Sequence, residues 1–237
     1  MLGNLTKCIL FDLGNTLVQY FEREELPEIL KKALAEVRDY VDEEGLLKVS
    51  PEEMWRRAGL EHENMDYSVR PLEERLVRIF LLSPRNLTDE LLMAMCRRFM
   101  KPIFALGRCY DETLPVLQEL RRRGHKLAVV SNTPWGSPAL LWREELNRLD
   151  LSQLLDIAVF CRDVGWRKPA RQIFEYTLAK LDVSPKDCLF IGDDPRSDMI
   201  GPASVGMEAI FLDRQQSTRA EKTESIQSLR ELLSLNL

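Results

Sequence analysis

Short apolar runs alternating with amphipathic segments from Tyr110 onward predict an α/β fold: a three-layer core whose parallel sheet is covered by helices on both faces. Two further observations complete the prediction. One apolar run, Cys8 to Phe11, stands well ahead of the others. Between it and the alternating region lies a stretch whose apolar residues recur only at helical spacing, which predicts an inserted all-helical unit.

The elements follow in order. Cys8 to Phe11 is long enough for a buried strand and too short for a helix. It stops at Asp12, and Gly14 and Asn15 then allow a sharp turn. Leu26, Ile29, Leu30, Ala33, Leu34, Val37 and Val41 mark a first helix that Gly45 ends. Ser50-Pro-Glu-Glu53 reads as a capping box opening a second. Leu72, Leu76, Ile79 and Phe80 give a third within 70–82. Thr88 is the expected N-cap of a fourth, carrying Leu91, Leu92, Met95, Phe99 and Met100. Beyond Tyr110 the expected elements are a helix over 113–123 ended by Gly124, a strand over 126–130, a helix over 137–149 and a strand over 157–160. A helix over 170–181, a strand over 188–191, a helical turn over 199–205 and a strand over 209–212 complete the alternation. Residues 215–224 read as a polar loop, and 225–235 as an amphipathic helix.

Composition narrows the function. With 237 residues of which 45% are hydrophobic, the chain can bury a sizeable core. A formal net charge of −5 argues against a general nucleic-acid surface, which needs clustered Lys and Arg. No apolar run is long enough to cross a bilayer. The five cysteines, Cys8, Cys96, Cys109, Cys161 and Cys188, have no C-x-x-C spacing. They read as reduced thiols, and with no signal-peptide pattern at the N-terminus a cytoplasmic location is expected. Either a monomer or a homodimer fits.

Four stretches carry polar residues at or just beyond the ends of these elements: Asp12-Leu-Gly-Asn-Thr16, Ser131-Asn-Thr133, Gly165-Trp-Arg-Lys-Pro169 and Gly192-Asp-Asp194 with Asp198 beyond. In a parallel sheet such positions converge on one edge, where open α/β folds bind ligands. Taken alone, Asp12 is as readily a turn cap as a charge held for a ligand, and each of the other stretches is an ordinary turn signal. In this order and at these distances, however, they resemble the four motifs of the haloacid dehalogenase-like (HAD) hydrolase superfamily. The resemblance covers nearly the whole chain outside 19–105. It implies a Rossmann-like core from 1–18 and 106–237 and an all-helical cap domain from 19–105.

For the residues, the resemblance implies Asp12 as the nucleophile that forms an aspartyl-phosphate, and Lys168 as the catalytic cation that also binds the phosphoryl group. The Ser131 hydroxyl and the backbone N–H groups around Asn132 would bind substrate. Mg²⁺ would be held by Asp12, the main-chain carbonyl of Gly14 and Asp193, with Asp198 orienting bound waters or Lys168 from behind. The implied substrate is a small phosphorylated metabolite. One departure stands out. Phosphatases of this family carry D-x-D in the first motif, the second Asp being general acid and base; this chain has Gly14, which keeps the carbonyl and lacks the side chain. Asp194 is the candidate stand-in for the proton transfer. A 2-haloacid dehalogenase, which also lacks the second Asp, is one alternative, and a catalytically weak phosphate-binding protein is another. Against the dehalogenase stand the acids at 193 and 198, which without a cation would only repel Asp12. Tyr67 and Arg70 are candidate substrate contacts in the helical insertion, whereas Trp55 is expected in its core. Trp135 either lines the site or packs on the core.

Overall fold

The computed structural model describes residues 6–21, 23–214 and 225–237. The polar loop expected over 215–224 lies outside them. The first strand, β1 (Cys8–Phe11), is fully buried and leads through the Asp12 turn into a second, β2 (Val18–Gln19). Four helices follow: α1 (Leu26–Glu43), α2 (Pro51–Ala58), α3 (Leu72–Phe80) and α4 (Asp89–Phe104). Their N-termini are fixed as the sequence indicates. The Ser50 hydroxyl accepts from the Glu53 N–H at 3.2 Å, and the Thr88 hydroxyl from the Leu91 N–H at 3.1 Å. The chain returns through β3 (Arg108–Cys109) and α5 (Thr113–Arg122) to β4 (Lys126–Ser131). Next come α6 (Ala139–Arg148), β5 (Ile157–Phe160), the single turn α7 (Cys161–Val164) and α8 (Arg171–Leu181). The last elements are β6 (Cys188–Gly192), α9 (Gly201–Ser204), β7 (Glu208–Leu212) and β8 (Ser225–Ile226).

Among the described residues six strands form one sheet in the order β5-β4-β1-β6-β7-β8, and every pairing in it is parallel. The pleat divides the core. Ile9, Phe11, Val129 and Ile191 point to one face, and Cys8, Leu10, Val130 and Phe190 to the other, where Phe174 of α8 covers them. The first cluster runs on without a break into the buried faces of α1 and α4. Central β1 is paired on both sides, to β4 and to β6, so the chain leaving it emerges at the middle of the sheet edge.

Three features differ from the sequence reading. The tail is no α-helix. Ser225–Ile226 pairs with β7, and Leu229–Ser234 is a 3₁₀-helix. Leu229 and Leu232 are buried three residues apart, a spacing that stacks directly in a 3₁₀ turn. The turn expected over 199–205 is split between a π-helical turn, Pro195–Ile200, and α9. Between Gln19 and Arg108 the chain makes its whole helical excursion, and β2 and β3 tie its two ends together as an antiparallel ribbon, Val18 opposite Cys109.

The helical excursion is locked to the sheet by aromatic and charged contacts. Trp135 stacks on Phe99 of α4 at 5.4 Å and carries the Arg75 guanidinium over its ring at 5.5 Å. Trp135 therefore packs between the helices and the sheet. Arg75 is fully buried, with Nη2 2.8 Å from Glu63 and Nε donating to the Arg70 carbonyl at 3.2 Å. Trp55, expected inside, is 39% exposed, because α2 buries only Met54 and Ala58. Arg70 donates to the His62 carbonyl at 2.9 Å.

Candidate active site

Because β1, β4 and β6 are parallel neighbours, their carboxyl ends deliver Asp12, Ser131 and Asp193 to one edge of the sheet. Lys168 enters from the loop between α7 and α8. Its ammonium donates to Asp12 Oδ1 at 2.5 Å and to Asp198 Oδ1 at 2.7 Å, with 2% of its side chain exposed. Ser131 Oγ lies 3.1 Å from the same Asp12 oxygen. Among the described residues Asp12 Oδ2 receives no hydrogen bond, so one carboxylate oxygen is held and the other is open to a ligand.

Asp198 is held tightly. Its Oδ2 accepts from the Asp194 N–H at 3.0 Å, and it lies directly against Gly192. A Cβ at Gly192 would fall 2.3 Å from Asp198 Oδ2, so only glycine lets the acid pass beneath the end of β6. The Asp194 side chain caps the following turn, Oδ1 accepting from the N–H groups of Arg196 at 3.0 Å and Ser197 at 2.7 Å. That commitment leaves it poorly suited to the proton transfer considered for it above. The backbone N–H groups around Asn132, the part expected to bind substrate, follow directly on β4, whereas its side-chain amide has a separate role. Its Nδ2 donates to the Lys168 carbonyl at 3.1 Å and its Oδ1 accepts the Lys168 N–H at 2.8 Å, so it fixes the backbone that carries the ammonium. Gly14 lies on the cavity wall above Asp12.

The charges are unbalanced. Among the described residues Asp12, Asp193 and Asp198 each bring a carboxylate oxygen to within 4.8 Å of the others, and the single ammonium of Lys168 faces them. Burial, with the neighbouring Asp12 and Asp198, raises the Asp193 carboxyl to about 8. Burial raises Asp198 to about 7 against the opposing pull of Lys168. Desolvation works against the Lys168 ammonium, yet Asp12 and Asp198 outweigh it and hold the amine above its ordinary value. An oxygen-only donor set with surplus negative charge suits a hard divalent cation.

Two further residues support the site, and of the two only Arg214 lies outside the four motif stretches. Thr16 Oγ1 lies 3.4 Å from Asp193 Oδ1. Arg214, just past β7, donates to the carbonyls of Asn15 at 3.3 Å and Thr16 at 2.9 Å, pairs with Glu112 at 2.6 Å and stacks 3.8 Å from the Tyr110 ring centroid. It braces the turn that presents Asp12 and Gly14. A cavity of about 230 Å³ opens over these groups, with an apolar wall from Phe21, Ile103 and Trp142. No sequence pattern marks that wall, since its residues come from three stretches far apart in the chain. His125 is structural: its Nδ1 lies 2.8 Å from the Thr6 carbonyl.

Comparison with known proteins agrees with this geometry. The sequence is similar to a glyceraldehyde 3-phosphate phosphatase of Methanothermobacter thermautotrophicus, 33% identical over 119 residues, which cover 50% of each chain. It is also similar to a phosphoserine phosphatase of Thermus thermophilus, 33% identical over 121 residues, 51% of this chain and 46% of the other. The chain spans about half the length of the curated relatives it matches. Among solved structures, a HAD phosphatase from Thermococcus onnurineus superimposes with a TM-score of 0.63 at 26% identity over 96% of both chains. A 2-haloacid dehalogenase from Pseudomonas syringae shares the fold, with a TM-score of 0.70 at 23% identity over 97% of both chains. Among the described residues no helix is long and apolar enough to cross a membrane. The profile of the haloacid dehalogenase-like hydrolases matches residues 6–206, and the chain belongs to that family.

Proposed function

We propose that the protein is a cytoplasmic, Mg²⁺-dependent phosphomonoesterase acting on a small phosphorylated metabolite through an aspartyl-phosphate at Asp12. The observation that carries the reading is the meeting of Asp12, Lys168, Asp193 and Asp198, four groups distant in sequence, beside one cavity. Residues 19–105 serve as the cap that closes over it. Asp12, the Gly14 carbonyl and Asp193 are the groups that would hold Mg²⁺, and the ion when bound would neutralise charge on the phosphoryl oxygens.

In this reading the Asp12 carboxylate attacks phosphorus, the P–O ester bond breaks, and its electrons leave on the alkoxide. Lys168 holds Asp12 in place through its 2.5 Å contact and offers its positive charge to the transferring group. Ser131, within reach of the same carboxylate, donates to a phosphoryl oxygen once substrate displaces its present contact. Asp198 orients Lys168, and Asn132 fixes its backbone. With glycine at 14, the leaving oxygen takes its proton from water, which favours substrates whose leaving group is already a weak base. Water then attacks the aspartyl-phosphate, releasing inorganic phosphate and restoring Asp12.

A phosphometabolite panel assayed with Mg²⁺, beside Asp12→Asn, tests this. Phosphate release that EDTA and Asp12→Asn each abolish is the expected result. Halide release from 2-chloropropionate without metal would instead support a dehalogenase. Binding of phosphate esters without turnover, and no capture of beryllofluoride on Asp12, would leave a binding protein.

A further inference from the structure

A second cleft, about 500 Å³, opens beside the Asp12 cavity and shares Asn132, Lys168, Asp194 and Ser197 with it. Its remaining walls carry two guanidiniums, Arg167 and Arg196, and the phenol of Tyr67. Each arginine sits beside the catalytic machinery in the chain: Arg167 immediately precedes Lys168, and Arg196 lies two residues before Asp198.

Both are held rather than loose. Arg167 Nε is 3.3 Å from Glu63 and its Nη2 donates to the Asn64 carbonyl at 3.3 Å. Arg196 is exposed, hydrogen-bonds the Tyr67 hydroxyl and lies over the Tyr67 ring at 5.4 Å. Tyr67 itself adopts a left-handed backbone with φ 65, a conformation that costs a bulky residue energy and is kept where the surroundings enforce it. Here an antiparallel bridge from Ser68 to Trp166, with the Arg167 N–H on the Tyr67 carbonyl at 2.8 Å, enforces it. The acid in the cleft, Asp194, has its Oδ1 turned to backbone N–H groups. The cleft thus offers fixed cationic donors to whatever extends from a phosphoryl group on Asp12.

We propose that this cleft is a subsite for a second anionic group, so that the substrate is a short phosphomonoester also bearing a carboxylate or another phosphate, with Arg196 and Arg167 as its specificity-determining residues. The proposal rests on Asp12 as the phosphoryl acceptor. Planar guanidinium forks match either anion bidentately, which a lysine would not do.

The test compares kcat/KM for two ester pairs with Mg²⁺. In the first, 3-phosphoglycerate is set against glycerol 3-phosphate, which carries a hydroxymethyl in place of the carboxylate. In the second, propane-1,3-diol bisphosphate is set against its monophosphate. Hydrogen bonds to charged groups predict a preference of about tenfold to a hundredfold for the doubly anionic member, expressed mainly in KM. In Arg196→Gln that preference falls to within about threefold of unity, and Arg196→Lys restores part of it. The pair with the larger preference names the anion. Equal turnover of both members of each pair by the wild type, or a preference that survives Arg196→Gln, overturns the subsite. Turnover of none of the four esters would instead sink the phosphatase reading itself.

Discussion

Replacing Gly14 by Asp puts the argument about the missing acid to a direct test. The glycine lines the Asp12 cavity, and its φ is not among the positive ones, so an L-residue fits the backbone unstrained. A Cβ built there meets only Tyr20 Cδ2, at 3.9 Å, an ordinary contact. The carboxyl therefore enters without displacing the site. General acid–base help is typically worth ~10²–10⁴-fold. Less of it is expected here, because a further carboxylate joins Asp12, Asp193 and Asp198, and mutual repulsion opposes its ionisation. A protonated carboxyl at 14 is still the form a leaving alkoxide needs. For ethyl phosphate, a poor leaving group, kcat should rise about tenfold or more in Gly14→Asp, while p-nitrophenyl phosphate, which needs no proton, should change less than about threefold. Steady-state kinetics with saturating Mg²⁺ measures both. Equal effects on the two esters would refute the idea that proton supply limits this enzyme, and so would wild-type rates that ignore the leaving group.

Other perturbations follow from the same cluster. Lys168→Met removes the ammonium that faces the buried acids; breaking such a buried pair costs about 3–5 kcal/mol, and urea unfolding should show a larger loss at pH 8 than at pH 5, where the acids take up protons. The folded carboxyls of Asp193 and Asp198, near 8 and 7, lie above their ordinary value, so the stability they contribute is present at low pH and lost as pH rises through 7 to 8. Melting temperature without divalent metal should thus fall from pH 6 to pH 9, and the rise on adding Mg²⁺ should be greater at pH 8.5 than at pH 6, where the ion must displace protons; an equal rise at both would contradict it. Gly192→Ala forces a Cβ onto Asp198, which is expected to cost about 1–3 kcal/mol in thermal unfolding and to lower kcat at least about tenfold through a misplaced Lys168.

What the sequence made legible follows from where the chemistry sits. Asp12, Ser131 and Asp193 close apolar runs, and a charge or hydroxyl at such a stop is visible because strand periodicity points to it. Lys168 was visible only through the resemblance, since its loop has no periodic signature. Arg214 was not visible at all, and Thr16, although inside the first motif stretch, had no legible role: both act through the sheet order, which brings the ends of β6 and β7 to the turn after β1. The ribbon of β2 and β3 has two residues a side, too few for any alternation to register. The tail misled for a related reason, because leucines three apart satisfy a 3₁₀ turn as well as an amphipathic helix. Asn132 shows the limit most sharply. Its place after β4 marks it as part of the site, but an amide next to a phosphate pocket and an amide clamping a neighbouring loop have the same sequence. Only the 2.8 and 3.1 Å bonds to the Lys168 backbone separate the two, and they make Asn132 the link through which β4 sets the position of a cation 36 residues away.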